Sequence, residues 1–473
     1  MKNNSLLLIL LVLLILFFIS YLHYSFSILK YPFDWDPSEG YICYHILNIL
    51  DGKPCYYIDS DYPAYYVYPP FFLFTVLPLK LVLNDILLCS RLISFLASLC
   101  IGAVLYFWAR KISSDNTFVP VITALFFFAP GITSFWLPLG RVDTLAQLFM
   151  LFGIYLCIYN PQKSFRWFAG ILFLTFATFT KQTGIFGVLI VFTVTLCESS
   201  LKALKFFSWI FFLHLVIFGL IFFWAGKPFF ENIFGTYMAQ PYEYQLLKYY
   251  FRSFFVCMPI FISIGIYGSY LFLKKKIHLQ IVIFFILCVI STLLVAKRGS
   301  SWNLLIPFTL GLSLICGVTI RELDRKLQNF VYLLLIIQIL LLAVYNPLYV
   351  KYPNDNHRES GYKILEYVKN HSGPLLTEQF ETFANRFGKT IFVEGDLGYE
   401  LFAANKWNAK KLVQDIVSQN FSLVLFTGEG GFVQPVKDAL REYYVPVDRL
   451  SIGLYSGERY LYILEPKYVE SSP

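Results

Sequence analysis

The sequence predicts a polytopic α-helical membrane protein that carries a small soluble α/β domain at its carboxyl end, and three observations support that reading. Hydrophobic residues make up 57% of the 473-residue chain and aromatic residues 19%, against 14% charged, a balance that no single soluble core buries. Apolar runs recur from Ser5 to Tyr345, separated by short polar segments. From Tyr352 onward the composition turns abruptly to ordinary soluble character.

The first run, 5–19, follows Lys2 and precedes no small-residue cleavage site, so it reads as a retained first span. Further apolar segments lie at 86–108, 118–137, 144–159, 167–180, 183–197, 206–225, 251–273, 277–296, 304–320 and 330–345, which makes about eleven spans in all. Several fall short of the roughly 20 residues that crossing a bilayer needs, so their ends extend into flanking polar residues. The segment 68–83 is apolar but short, and it holds Pro69, Pro70, Pro78 and Lys80. Taken as interfacial, it leaves Arg110-Lys111, Lys163 and Arg166, Lys202 and Lys205, Lys274-Lys275-Lys276, Arg321 and Arg325-Lys326 on the same side as Lys2. The positive-inside rule then sets the amino terminus in the cytoplasm of a plasma (inner) membrane and the carboxyl domain on the opposite face. The expected division is a membrane unit at 1–349, with a first outer loop at 31–83 bearing interfacial helices, and an extracytoplasmic α/β domain at 350–473.

In that domain helical patterns at 361–370, 409–419 and 435–443 alternate with strand-like runs at 375–378, 390–394, 423–427 and 460–464. The turn Gly428-Glu429-Gly430-Gly431 follows a strand but lacks the lysine and spacing of a phosphate loop, and reads as a plain turn. No internal repeat or low-complexity tract stands out.

A net charge of +8 is spread over loops without a basic stripe, which argues against nucleic acid as a partner and favours membrane lipids. Seven of the nine cysteines lie in apolar runs and read as packing residues. Cys43 and Cys55 share the first loop, where a disulfide is an option in an oxidising compartment. His45, His214 and His278 lack the spacing of a zinc site, so no metal ligand is assigned, and dependence on a divalent metal stays open.

With this topology the remaining charges gather on the outer face. Arg141, Asp143, Lys181, Lys297 and Arg298 join the loop Asp34-Trp35-Asp36-Pro37-Ser38-Glu39-Gly40-Tyr41 that follows the first span. Each cation alone reads equally well as a snorkelling side chain, but their common side points to a site, because charge beside lipid is costly. Asp36, Pro37 and Glu39 have capping-box spacing for a helix, which holds a carboxylate rigidly whether or not it is reactive.

The acidic pair after the first span, the helix 41–50 ending at Asp51-Gly52-Lys53, and then Tyr68-Pro69-Pro70 resemble the first outer loop of the GT-C membrane glycosyltransferases. That class contains the protein O-mannosyltransferases and the lipid A aminoarabinose transferases. Arg91-Leu92-Ile93-Ser94, Arg141-Val142-Asp143 and Phe179-Thr180-Lys181 are similar to later landmarks of the class, and the likeness spans roughly residues 1 to 320. Two features depart from it: the acids, adjacent in the class, are separated here, and Tyr68 stands where lysine or histidine is usual.

The resemblance implies a GT-C-like fold and transfer of a sugar from a polyprenyl-phosphate donor to a lipid, glycan or protein acceptor. It implies Asp36 or Glu39 as base and Asp143 as a second carboxylate. Tyr68 in place of lysine or histidine removes an expected cation, which leaves the donor phosphate to Lys181, Lys297, Arg298 or Arg141, with Tyr68 a substrate-binding position and Asn303 among the polar groups for sugar hydroxyls. The competing readings are a multispan transporter or lipid-linked-sugar flippase, which calls for midplane charge and broken helices, and a noncatalytic scaffold for the tail.

Overall fold

The structure is a computed structural model that describes residues 5–113, 117–160, 162–236, 240–345, 352–428 and 431–467. The expected domain boundary at 349/350, and Glu429 and Gly430 of the glycine turn, lie outside the described residues. Among the described residues seven helices are long and apolar enough to cross a membrane: Ser5–Leu29, Ile86–Ile112, Val142–Tyr159, Ser200–Thr236, Leu279–Ala296, Trp302–Glu322 and Arg325–Val344. An eighth span is formed if Tyr244–Cys257 and Pro259–Lys275, bent by 90° at Pro259, count as one.

This count falls below the expected eleven for physical reasons. The run 118–137 is divided into the helices Phe118–Phe126 and Gly131–Ser134 around Pro130, whose ring and missing N–H prevent continuation. Phe165–Thr180 and Gln182–Glu198 are helical but short, and they meet at Lys181. Trp302–Glu322 lies at the centre, with every residue from Ile306 to Ile320 buried. Glycines let its neighbours approach closely: Gly265 and Gly268 of Pro259–Lys275 face Leu312, Ile315 and Thr319.

The basic loop ends share one end of the bundle. Gln162 Nε2 donates to the Lys202 carbonyl at 3.0 Å, Trp108 Nε1 to the Tyr159 hydroxyl at 2.9 Å, and Lys275 Nζ to the Glu322 carbonyl at 3.3 Å. At the other end the first loop forms the helices Glu39–Leu50 and Phe71–Lys80. Cys43 and Cys55 are both free and buried there, so the optional disulfide is not formed. The Cys43 thiol instead meets Ser90 Oγ at 3.8 Å.

The tail is an α/β layer around strands β1 (Leu375–Thr377), β2 (Leu423–Phe426), β3 (Tyr444–Leu454) and β4 (Gly457–Pro466), in the order β1-β2-β4-β3. β1 and β2 are parallel, and the other pairs are antiparallel. The expected strand at 390–394 is not in the sheet. Its last residue, Glu394, accepts from Leu397 N at 2.5 Å and caps the helix Gly395–Ala403. In its place β3 completes a hairpin whose register shifts between Pro446 and Asp448, a bulge that hides the strand's alternation in the sequence.

The first outer loop is the dock for this tail. Asp34 accepts from Thr382 N at 3.2 Å and Thr382 Oγ1 at 2.6 Å, and Trp407 Nε1 donates to the Asp61 carbonyl at 3.1 Å. The β3–β4 hairpin tip reaches back, with Tyr455 N donating to the Trp35 carbonyl at 3.0 Å and its ring stacked on Phe135 at 5.3 Å. Phe33 stacks on Phe383 at 5.2 Å and covers Gly361, where a Cβ would overlap the Phe33 ring. Gly361→Val is therefore expected to cost about 1–3 kcal/mol through overpacking and to lower the thermal midpoint of the purified protein by scanning fluorimetry. An unchanged midpoint would show that this docking face does not contribute to stability.

Candidate active site

The turn that opens the first loop is held by one carboxylate. Glu39 Oε2 accepts from Trp35 N at 2.8 Å and Asp36 N at 3.1 Å, while Asp36 Oδ1 accepts from Ser38 N at 3.1 Å. Only half of the expected capping box is present: Glu39 reaches back to Asp36 N, but Asp36 accepts from Ser38 N, the Glu39 N–H goes to the Asp36 carbonyl, and the helix begins at Glu39 with Ser38 at its N-cap. Arg91 faces Glu39 in a bidentate pair, Nε to Oε1 at 2.8 Å and Nη2 to Oε2 at 2.7 Å, with both side chains fully buried. Its other N–H groups donate to the carbonyls of Ile28, Tyr31 and Phe33 at 2.6–2.8 Å. Gly140 N adds a further bond to Glu39 Oε1 at 2.7 Å. Burial pushes the Glu39 carboxyl up, but Arg91 and the backbone donors outweigh it and hold it below its ordinary range.

Because Glu39 binds both Asp36 N and Gly140 N, the neighbouring side chains converge. Arg141 Nη1 pairs with Asp36 Oδ1 at 2.5 Å, and the guanidinium lies 5.4 Å from the centroid of the Trp136 ring. Asp143 pairs with Lys181 and accepts from Asn303 Nδ2 at 2.8 Å and Trp136 Nε1 at 3.2 Å. Lys181 is the residue between two short helices, and its ammonium stands 5.9 Å from the Tyr68 ring centroid. Asp36, Tyr68, Arg141, Asp143, Lys181 and Asn303 therefore come together, although they span more than half of the chain.

Two adjoining cavities open on this group. The smaller, about 100 Å³, is lined by Tyr68, Arg141, Lys181 and Asn303. The larger, about 400 Å³, is lined by Asp36, Arg141 and Arg298 together with residues of the tail. Glu39 lines neither. Lys297 is buried outside both linings, where desolvation lowers its ammonium against the pull of Glu400. Arg298 pairs with Glu243 and stacks 5.4 Å from the Tyr399 ring centroid. His45, His214 and His278 sit at separate places, and among the described residues no group of three or more His, Cys, Asp or Glu is disposed to hold a metal ion.

The tail contributes residues that the sequence did not single out for the site: Gln379, Glu394, Asp396, Tyr399, Glu400 and Tyr455. The acids at 394, 396 and 400 in one short stretch were a legible signal, but nothing local placed them beside Arg141. Gly299 lies against Glu400 with φ at +78°, a conformation and an approach that together demand glycine. Burial pushes the Asp36 carboxyl up to about 6, with Arg141 opposing and Glu39 reinforcing the shift. Burial likewise lifts Glu400 to about 8 and raises Asp396 and Glu394.

No family model matches the sequence, and no curated protein matches it. Solved structures do. The fold is similar to that of ArnT. ArnT from Cupriavidus metallidurans bound to undecaprenyl phosphate matches with a TM-score of 0.64 at 12% identity, over 98% of this chain and 98% of that one. The apo state of ArnT from the same organism matches with a TM-score of 0.59 at 13% identity, over 95% and 97%. The likeness to ArnT is one of fold, and it extends through the tail.

Removing one partner of the Arg91–Glu39 pair strands a buried charge, a loss of about 3–5 kcal/mol. Arg91→Ala and Glu39→Ala are expected to deplete the protein from membranes, whereas Asp36→Asn keeps wild-type abundance by quantitative immunoblot. Normal abundance of both alanine variants would remove the structural role of the pair.

Proposed function

We propose that the protein is a polyprenyl-phosphate-dependent membrane glycosyltransferase of GT-C type, with Asp36 as the base. The observation that supports this most is the position of Asp36. It lines the larger cavity, its Oδ1 is held by Arg141 and Ser38 N, and among the described residues no hydrogen bond engages Oδ2. Glu39 has the opposite character, since its oxygens already accept five hydrogen bonds, and we assign it a positioning role. The ArnT structure bound to undecaprenyl phosphate, similar over nearly the whole chain, supports a lipid-phosphate donor.

In this reading the donor phosphate occupies the smaller cavity, beside Lys181, Arg141 and Tyr68. The acceptor hydroxyl or amine enters from the larger cavity and attacks the anomeric carbon. The bond from that carbon to the phosphate oxygen breaks, polyprenyl phosphate leaves as an anion, and the acceptor proton passes to Asp36 Oδ2. Fixed cations in a water-poor cleft stabilise the departing anion without a general acid. Asp143, Asn303 and Trp136 form the brace that aims Lys181. Arg298 closes the far wall, and Lys297 supplies positive potential from behind the lining. The shared end of the basic loops supports a cytoplasmic amino terminus in the plasma (inner) membrane, with 350–473 extracytoplasmic above a membrane unit at 1–349.

In proteoliposomes supplied with a radiolabelled polyprenyl-phosphate sugar, Asp36→Asn is expected to lower transfer by about 10²- to 10⁴-fold while undecaprenyl phosphate still binds. Retained transfer would refute the base assignment, and sugar movement across the bilayer without transfer would favour a transporter. Lys181→Ala should weaken undecaprenyl phosphate binding roughly tenfold or more, the loss of one charge-assisted contact. Asp36 acts ionised, and burial raises its carboxyl to about 6. Transfer should therefore rise as pH increases through about 6 and level off above it. A profile flat from pH 5 to 8 would exclude Asp36 as the titrating group.

A further inference from the structure

We propose that the larger cavity is the acceptor site, that the acceptor is a saccharide, and that Gln379, Asp396 and Glu400 of the tail select it. The inference rests on the transferase reading and adds to it the chemical class of the acceptor. At about 400 Å³ the cavity is of small-ligand size, walled on one side by Asp36 and Arg141 and on the other by the tail.

Its polar groups are unsatisfied in a particular way. Gln379 is 5% exposed, yet its Oε1 has no hydrogen-bond partner, and Arg141 Nε, also buried, has none. Such groups carry a desolvation penalty that a ligand hydrogen bond relieves. Among the described residues Asp396 accepts only a long 3.5 Å contact from Gln379 Nε2, and Glu400 accepts from Gln240 Nε2. Among the described residues neither carboxyl has a cation within ion-pair distance. Burial raises Asp396 and lifts Glu400 to about 8, so the Glu400 carboxyl, protonated near neutral pH, both donates and accepts, as a sugar hydroxyl does.

Aromatic rings complete the match. Trp136, Tyr250, Tyr399 and Tyr455 line the same space, interleaved with the hydroxyls of Ser300 and Ser456. Apolar ring faces beside paired donors and acceptors suit a pyranose, which presents C–H groups on its faces and hydroxyls at its rim. An acyl chain would leave these polar groups unpaired.

The test uses the full-length protein in nanodiscs, saturated with undecaprenyl phosphate and titrated calorimetrically. The ligands are trisaccharides of glucose, mannose, galactose and N-acetylglucosamine, a serine- and threonine-containing hexapeptide, and dihexanoyl phosphatidylethanolamine. At least one trisaccharide should bind, and Gln379→Ala and the isosteric Glu400→Gln should each weaken it tenfold or more, with undecaprenyl phosphate affinity unchanged in Gln379→Ala, since Gln379 lines only the larger cavity. Binding of the peptide or the phospholipid with no trisaccharide bound would overturn the inference, as would trisaccharide affinity unchanged in both variants. Failure of undecaprenyl phosphate to bind would instead sink the transferase reading, so the two failures are distinguishable.

Discussion

The buried Arg91–Glu39 pair is the constraint on which the rest of this structure depends. Two opposite charges leave water at a large desolvation cost, and the pair is stable only because nearly every donor and acceptor around it is used. Arg91 gathers the end of the first span and the loop after it through three backbone carbonyls. Glu39 gathers the turn at Trp35 and the turn at Gly140 through backbone N–H groups. Both turns lead directly into charged residues, so the geometry of one ion pair becomes the geometry of the next, Asp36 with Arg141.

Around that knot the membrane unit departs from regular spans where chemistry needs room. The helices on either side of Lys181 stop short, and the break around Pro130 delivers the Trp136 to Asp143 segment to the same place. Short helices with polar ends are expensive against lipid and cheap when they line a protein-enclosed cleft, which is where these residues sit. The tail covers the cleft. Its helix Gly395–Ala403 and hairpin tip at Tyr455 bring acids and a ring over Arg141 and Trp136, in surroundings whose low polarity holds several carboxyls toward their neutral form.

The spans were legible because their hydropathy is averaged over many residues, and it survives local irregularity. The first-loop turn was legible because the bond from Asp36 N to the Glu39 carboxylate joins residues three apart. The count of spans was less so, since 118–137 and 251–273 read as unbroken apolar runs although Pro130 and Pro259 divide the helices there. The strand β3 was hidden by Pro446 and its bulge. The distinction between Asp36 and Glu39 was not accessible either, because it depends on Arg91, 52 residues beyond Glu39 in the chain.

The sequence by itself determined a membrane protein with a soluble carboxyl domain, a charged first loop, and a set of acids and bases at the ends of spans. These follow from composition and from short-range spacing, which tertiary contacts do not alter. Only the tertiary structure decided which carboxylate is saturated and which has a free oxygen, and that the tail supplies a wall of the cleft. Those properties arise from burial and from partners 52 to 348 residues apart, and no local pattern encodes them.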